Sequence, residues 1–194
     1  MADIPEEIKR RRITDDLRAT FEASLPQRVD RYTEIEHQTV IPGQHFAEAS
    51  TECLRLYTDG YFFSAVMVTQ AVAEGIRRFI VKCNGIKLED NMDGPHIAGL
   101  LAKKEIISKA CADAFDRIWK SFRDDFHHMN PKVGEIPAMI PFSKLAKRNI
   151  QDLAAIEREV FAVRVATGAF ILVNPQYWDI QEGGTAKIFL RCSP

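Results

Sequence analysis

The chain has no closely spaced cysteines: Cys53, Cys83, Cys111 and Cys192 stand far apart and form no CxxC pair. A zinc knuckle and a thioredoxin-like redox motif are thereby excluded. Three of the four fall in apolar helical stretches, where a free thiol behaves as a small hydrophobe. Glycine (10) and proline (9) are too few among 194 residues for a collagen-like or disordered chain. Long hydrophobic runs are missing too. The longest, residues 61–73, is interrupted by Ser64, Thr69 and Gln70 and is too short to span a bilayer, so no membrane partner is expected. Nor is positive charge in excess: the formal net charge is −1, whereas a protein that coats nucleic acid by counterion release carries a basic surplus. Any RNA contact must come from a local cluster. Residues 1–12 are charged and lack an apolar h-region, so no secretory signal is expected and a reducing cytoplasm is the expected location.

What remains is the balance of an ordinary globular protein, 46% hydrophobic and 27% charged, long enough for one filled core. The pattern divides into an N-terminal helix and loop (1–43), a helical bundle (44–166) and a C-terminal β-hairpin appendage (167–194). Pro5-Glu6-Glu7 opens a short helix over 5–24. Its Arg10-Arg11-Arg12 cluster is a solvated face or a phosphate contact. Pro26 and Pro42-Gly43 bound a loop or short extended segment. Helices follow over 44–58, ended by Asp59-Gly60, and over 61–83, ended by Asn84-Gly85. The second is apolar on nearly all sides in its first half, which marks it as the central buried element. A short helix over 96–103 precedes a long one from about Ile106, which Asn130-Pro131 stops. Ser143 is a fair N-cap for the last long helix. Two strands, 169–173 and 186–190, are predicted to pair as the hairpin. The expected fold class is all-α, a four-to-five-helix bundle with a short N-terminal helix and a small C-terminal β-hairpin.

The long helix ends in Arg123-Asp124-Asp125-Phe126-His127-His128-Met129-Asn130-Pro131. At ~100° per residue, Ile107, Phe115, Ile118, Trp119, Phe122 and Phe126 share one sector. Lys120, Ser121, Arg123, Asp124, His127 and His128 share the opposite one, so the run lies on a polar face. Arginine offers an always-charged, bidentate fork to phosphate oxygens, and histidine titrates near neutrality. Cleaving an RNA backbone without a metal needs both. On a straight helix Arg123 and His128 diverge by ~140°, Arg123 and His127 by ~40°. A two-fold dimer that presses polar faces together supplies both groups around one cleft. The plain alternative is a solvated helix end, because a histidine near a helix C-terminus is favoured by the dipole alone. No HxxxH or HExxH spacing is present, and Asp124 with His128 is the one i,i+4 pair able to share an ion, so no metal is expected.

An arginine followed by a polar residue, with a histidine five positions on, resembles the HEPN superfamily. The resemblance covers about residues 44–166 and includes the helix pair whose second member is apolar all round. It implies a HEPN-like bundle acting as a homodimeric, metal-independent, cofactor-free endoribonuclease that leaves 2′,3′-cyclic phosphate and 5′-hydroxyl ends. His128 or His127 would be the acid/base, Arg123 the phosphate clamp and Asp124 its support. Glu74 resembles a glutamate that orients the arginine or histidine in similar bundles; pairing with Arg77 or Arg78 is the other reading. Glu74, Lys120 and Asn130 are expected at the RNA substrate. Asn130 stands where one toxin branch carries a modifiable tyrosine. Similar proteins act in toxin–antitoxin or antiphage defence, which implies an antitoxin or regulatory partner. The rival, from a different class, is a non-catalytic binding or dimerisation module that recognises RNA, nucleotide or protein through the same face.

Overall fold

The computed structural model describes residues 5–37, 40–89, 92–166, 169–180 and 187–191. Among them, eight α-helices and four short strands follow in order: α1 Glu6–Thr33, β1 Val40–Pro42, α2 Ala47–Asp59, α3 Phe62–Cys83, α4 Gly94–Lys103, α5 Lys109–Trp119, α6 Arg123–His127, α7 Ile136–Met139, α8 Phe142–Val160, β2 Val163–Ala166, β3 Ala169–Leu172 and β4 Ile188–Leu190. The protein is therefore mainly helical. The apolar α3 is central, as expected: it packs against α2 and α8, with α4, α5 and α6 at its other sides. Ala65, Val66, Val72, Ala73, Ile76, Ile80 and Val81 are its buried apolar residues in the core. Gly60 ends α2 in the left-handed region (φ 90°), where a Cβ is penalised. Asp93 caps α4 through the His96 N–H, and Ser108 caps α5 through the Cys111 N–H. Burial pushes the Cys53 thiol up to about 12, whereas Cys83, on an apolar stretch, is exposed. Cys192 lies outside the described residues. No helix among them is long and apolar enough to cross a membrane.

Four expectations are corrected. The N-terminal helix is not short: α1 has 28 residues and continues through Pro26. It buries none of them, so water can solvate the carbonyl that proline leaves unpaired. Its C-terminal end is held to α2 by Arg28 on Asp59 and by Arg31 Nε donating to the Thr58 carbonyl at 2.8 Å. Ile13, Leu17, Phe21, Leu25 and Val29 stay exposed along it.

The second correction concerns the long helix predicted to run into the motif. It breaks after Trp119, and Phe122 takes a left-handed backbone (φ 58°) before α6 restarts at Arg123. The cause is Ser121, placed on the polar face by periodicity but buried at 1% exposure. Its hydroxyl donates to the Ile118 carbonyl at 2.5 Å and accepts from Gln70 Nε2 and Asn149 Nδ2, each at 2.8 Å. Gln70 also reaches the Ser121 carbonyl at 2.9 Å. Side-chain bonds here replace helical ones and offset the ~1–2 kcal/mol of a left-handed non-glycine residue.

Third, α8 begins at Phe142 after Pro141, with no side-chain cap, so Ser143 is not its N-cap. Fourth, the predicted C-terminal strands do not pair with each other. β3 pairs antiparallel with β2 (Val163↔Leu172, Ala166↔Ala169), and β4 pairs antiparallel with β1 (Val40↔Leu190, Pro42↔Ile188). Asn174 Nδ2 caps the C-terminal end of α8 by donating to the Glu159 and Val160 carbonyls, each at 3.0 Å. The β2–β3 hairpin thus straddles the expected boundary at residue 167, and β1 lies in the stretch read as a loop or short extended segment. Arg191, next to β4, pairs with Glu157 of α8 at 2.7 Å, both nearly inaccessible.

Candidate active site

The motif is seated by its one buried residue. Phe126 is fully buried, with its ring centroid 5.0 Å from that of Phe63 and 5.8 Å from that of Phe142. With Phe126 turned inward, the helical period leaves Arg123 and His127 on adjoining lines of α6, ~40° apart.

Arg123 is held from two sides. Its Nη2 donates to Glu74 Oε2 at 2.7 Å, and its guanidinium lies 4.3 Å from the centroid of the Trp119 ring. Asp124, the expected support, comes only to 3.9 Å of Nη1 and is 83% exposed, so Glu74 is the carboxylate that positions this arginine. The two readings of Glu74 both hold, one on each oxygen: Oε1 accepts from Arg78 at 2.5 Å. Burial pushes the Glu74 carboxyl up. The Arg78 hydrogen bond and the charges of Arg123, Arg78 and Arg77 outweigh it and hold the group below the ordinary carboxylate range. Arg77 is 3% exposed, lies 5.0 Å over the same Trp119 ring, and its Nε finds no hydrogen-bond partner among the described residues.

The structure also separates the two histidines. His127 has Arg123, Glu74, His128 and Asp124 as its charged neighbours. Burial pushes its imidazole down, Arg123 and His128 add to this, and Glu74 and Asp124 oppose it. His128, exposed like His127, follows α6 as its C-terminal cap and donates its backbone N–H to the Asp124 carbonyl. Lys120 is occupied by Asp116 at 2.7 Å, and Asn130 Nδ2 by Asp125 at 3.1 Å, which closes the turn after α6. Glu74, with both oxygens bonded to arginines, braces the site rather than offering itself to a substrate. His96 Nδ1 is engaged by Asp93 at 2.7 Å. Among the described residues, no three His, Cys, Asp or Glu side chains gather as a metal centre requires.

Two participants escaped the sequence reading. Trp119 was assigned to the core but forms the platform for Arg123 and Arg77. Gly94 makes that platform possible: a Cβ there would stand 2.3 Å from Arg77 Nη1 and 2.4 Å from Trp119 Cε3. Gly94→Ala is therefore expected to displace the indole, change tryptophan emission and cost about 1–3 kcal/mol in urea denaturation. Unchanged emission and midpoint would show that the contact relaxes freely.

A second expectation concerns His127. By NMR titration its imidazole should titrate below the free value of about 6.5, and Arg123→Ala should move it upward. With the folded-state pKa depressed, neutral His127 contributes stability above the unfolded value, and this is lost as pH falls through the folded one. An unmoved titration in Arg123→Ala would mean that burial alone sets it.

In comparisons with known proteins, no family model, no curated protein and no solved structure matches this chain.

Proposed function

We propose that the protein is a homodimeric, metal-independent endoribonuclease of the HEPN type. The observation that carries this reading is the setting of Arg123 beside His127: its Nη2 donates to Glu74 Oε2 at 2.7 Å, its guanidinium lies 4.3 Å from the centroid of the Trp119 ring, and its charge acts on the His127 imidazole. In the proposed step, neutral His127 accepts the proton of an RNA 2′-hydroxyl. The 2′-oxygen bonds to the adjacent phosphorus, and the bond from phosphorus to the 5′-oxygen breaks. Protonated His128 delivers its proton to that leaving oxygen. Products are a 2′,3′-cyclic phosphate and a 5′-hydroxyl end. Arg123, pre-oriented by Glu74 and Trp119, donates to the non-bridging oxygens as their charge grows. Because His128 projects ~140° around the helix from Arg123, a second copy supplies it across a two-fold axis.

A cytoplasmic setting in toxin–antitoxin or antiphage defence, with an antitoxin or regulatory partner, belongs to the same reading through the HEPN resemblance. The test is purified protein with labelled RNA in EDTA. Cleavage that survives the chelator and vanishes in Arg123→Ala and His127→Ala supports the enzyme. RNA left intact by the unaltered protein overturns it in favour of the binding module.

A further inference from the structure

α1 buries none of its 28 residues, and Arg28 and Arg31, which tie it to the body, stand in its last two turns. Helices in proteins draw most of their stability from packing an apolar face. Such a face is present on α1 and unused. Ile13, Leu17, Phe21, Leu25 and Val29 are 43–66% exposed and follow one another every four residues. Each step of four advances about 6 Å and turns about 40°, so the five form one ridge along the helix. The ridge reads the same in both directions. Phe21 stands at its centre, a leucine lies four residues to each side, and a β-branched residue lies eight to each side. A partner that presents the same ridge makes use of that symmetry, since a two-fold contact sets one patch against itself.

We infer that α1 pairs with α1 of a second copy, the two crossing antiparallel about a two-fold axis at Phe21. Ridges of this spacing interdigitate at about −50°. Leu17 then meets Leu25 of the other copy on both sides of the paired phenylalanines, with Ile13 and Val29 at the edges. Arg28 lies 4.7 Å over one face of the Phe21 ring, which leaves the other face for its counterpart. On one flank Arg18 of each copy faces Glu22 of the other. At about 100 Å² for each half-exposed side chain, the pair removes roughly 1,000 Å² from water, the lower bound for a specific interface. Dissociation in the micromolar range is expected from so small a contact. This interface is separate from the ribonuclease reading: it pairs copies of the chain whether or not the motif cleaves RNA.

The test is sedimentation velocity of the full chain at about 100 μM, well above the expected dissociation constant. The unaltered protein should be dimeric, and Leu17→Asp and Phe21→Asp should each raise the dissociation constant about a hundredfold, as loss of a central anchor does. Both positions are exposed, and unchanged emission from Trp119 and Trp178 would show that the body is still folded. Orientation is read by oxidative cross-linking in a chain carrying Cys83→Ser and Cys192→Ser. Leu17→Cys and Leu25→Cys chains should join when mixed and neither should join to itself. A Leu17→Cys chain that cross-links alone overturns the two-fold at Phe21. A dimer that survives both aspartates overturns α1 as the interface and leaves the ribonuclease reading, with its contact between polar faces, intact. A monomeric unaltered chain overturns the second copy as occupant. Binding to phosphatidylserine vesicles that is lost in Leu17→Asp would then assign the ridge to a lipid surface.

Discussion

Arg123→Ala is expected to lower chelator-resistant RNA cleavage by about a hundred- to a thousandfold, the usual consequence of losing a pre-oriented donor to developing charge. The fold should survive, because Arg123 is 28% exposed on its side chain and Glu74 keeps its bond to Arg78. Arg123→Lys keeps the charge without the planar fork, so its rate should fall between the two. The composite site makes a sharper demand. If His128 comes from the second copy, an Arg123→Ala/His127→Ala chain and a His128→Ala chain are each inactive alone. Mixed and allowed to exchange, half the dimers are hybrid, and each hybrid restores one of its two sites. About a quarter of wild-type activity should return. A mixture as inactive as its parents would place all three groups within one chain, which the turn of α6 opposes.

The helices that build this site were legible where burial and periodicity agree. The apolar face of 61–83 named α3, and Asp59-Gly60 and Asn84-Gly85 ended α2 and α3 where a left-handed or non-helical residue was needed. The motif was legible as chemistry but not as geometry. Ser121 reads as one more polar residue on a helical wheel. Only tertiary bonds from Gln70 and Asn149, far away in sequence, turn it into the break that frees α6. The role of Trp119 follows from that break, since an indole on the apolar sector of a continuous helix would have been core. Pairing of β4 with β1 joins segments about three-quarters of the chain apart and leaves no local trace. Pro26 misled because the bond that a proline removes inside a helix can be replaced by water where, as in α1, the helix is exposed.

That distant pairing has its own measurable support. Glu157→Ala is expected to destabilise the protein by about 3–5 kcal/mol in urea, because it removes the carboxylate facing a buried guanidinium. The Glu157 side chain is 1% exposed and that of Arg191 3%, and Ser50 of α2 bonds to both. The loss is a large share of the roughly 5–15 kcal/mol by which domains are stable. A double variant, Glu157→Leu with Arg191→Met, removes both charges and should recover most of it, since apolar replacements of buried pairs are commonly neutral. A single variant within about 1 kcal/mol of wild type would show that water reaches the pair. Glu157 lies roughly two turns along α8 from Asn149, which bonds to Ser121 before the motif. Folded Glu157→Ala molecules should therefore keep their cleavage rate while Arg123→Ala molecules lose theirs, and this contrast separates damage to the fold from damage to the chemistry.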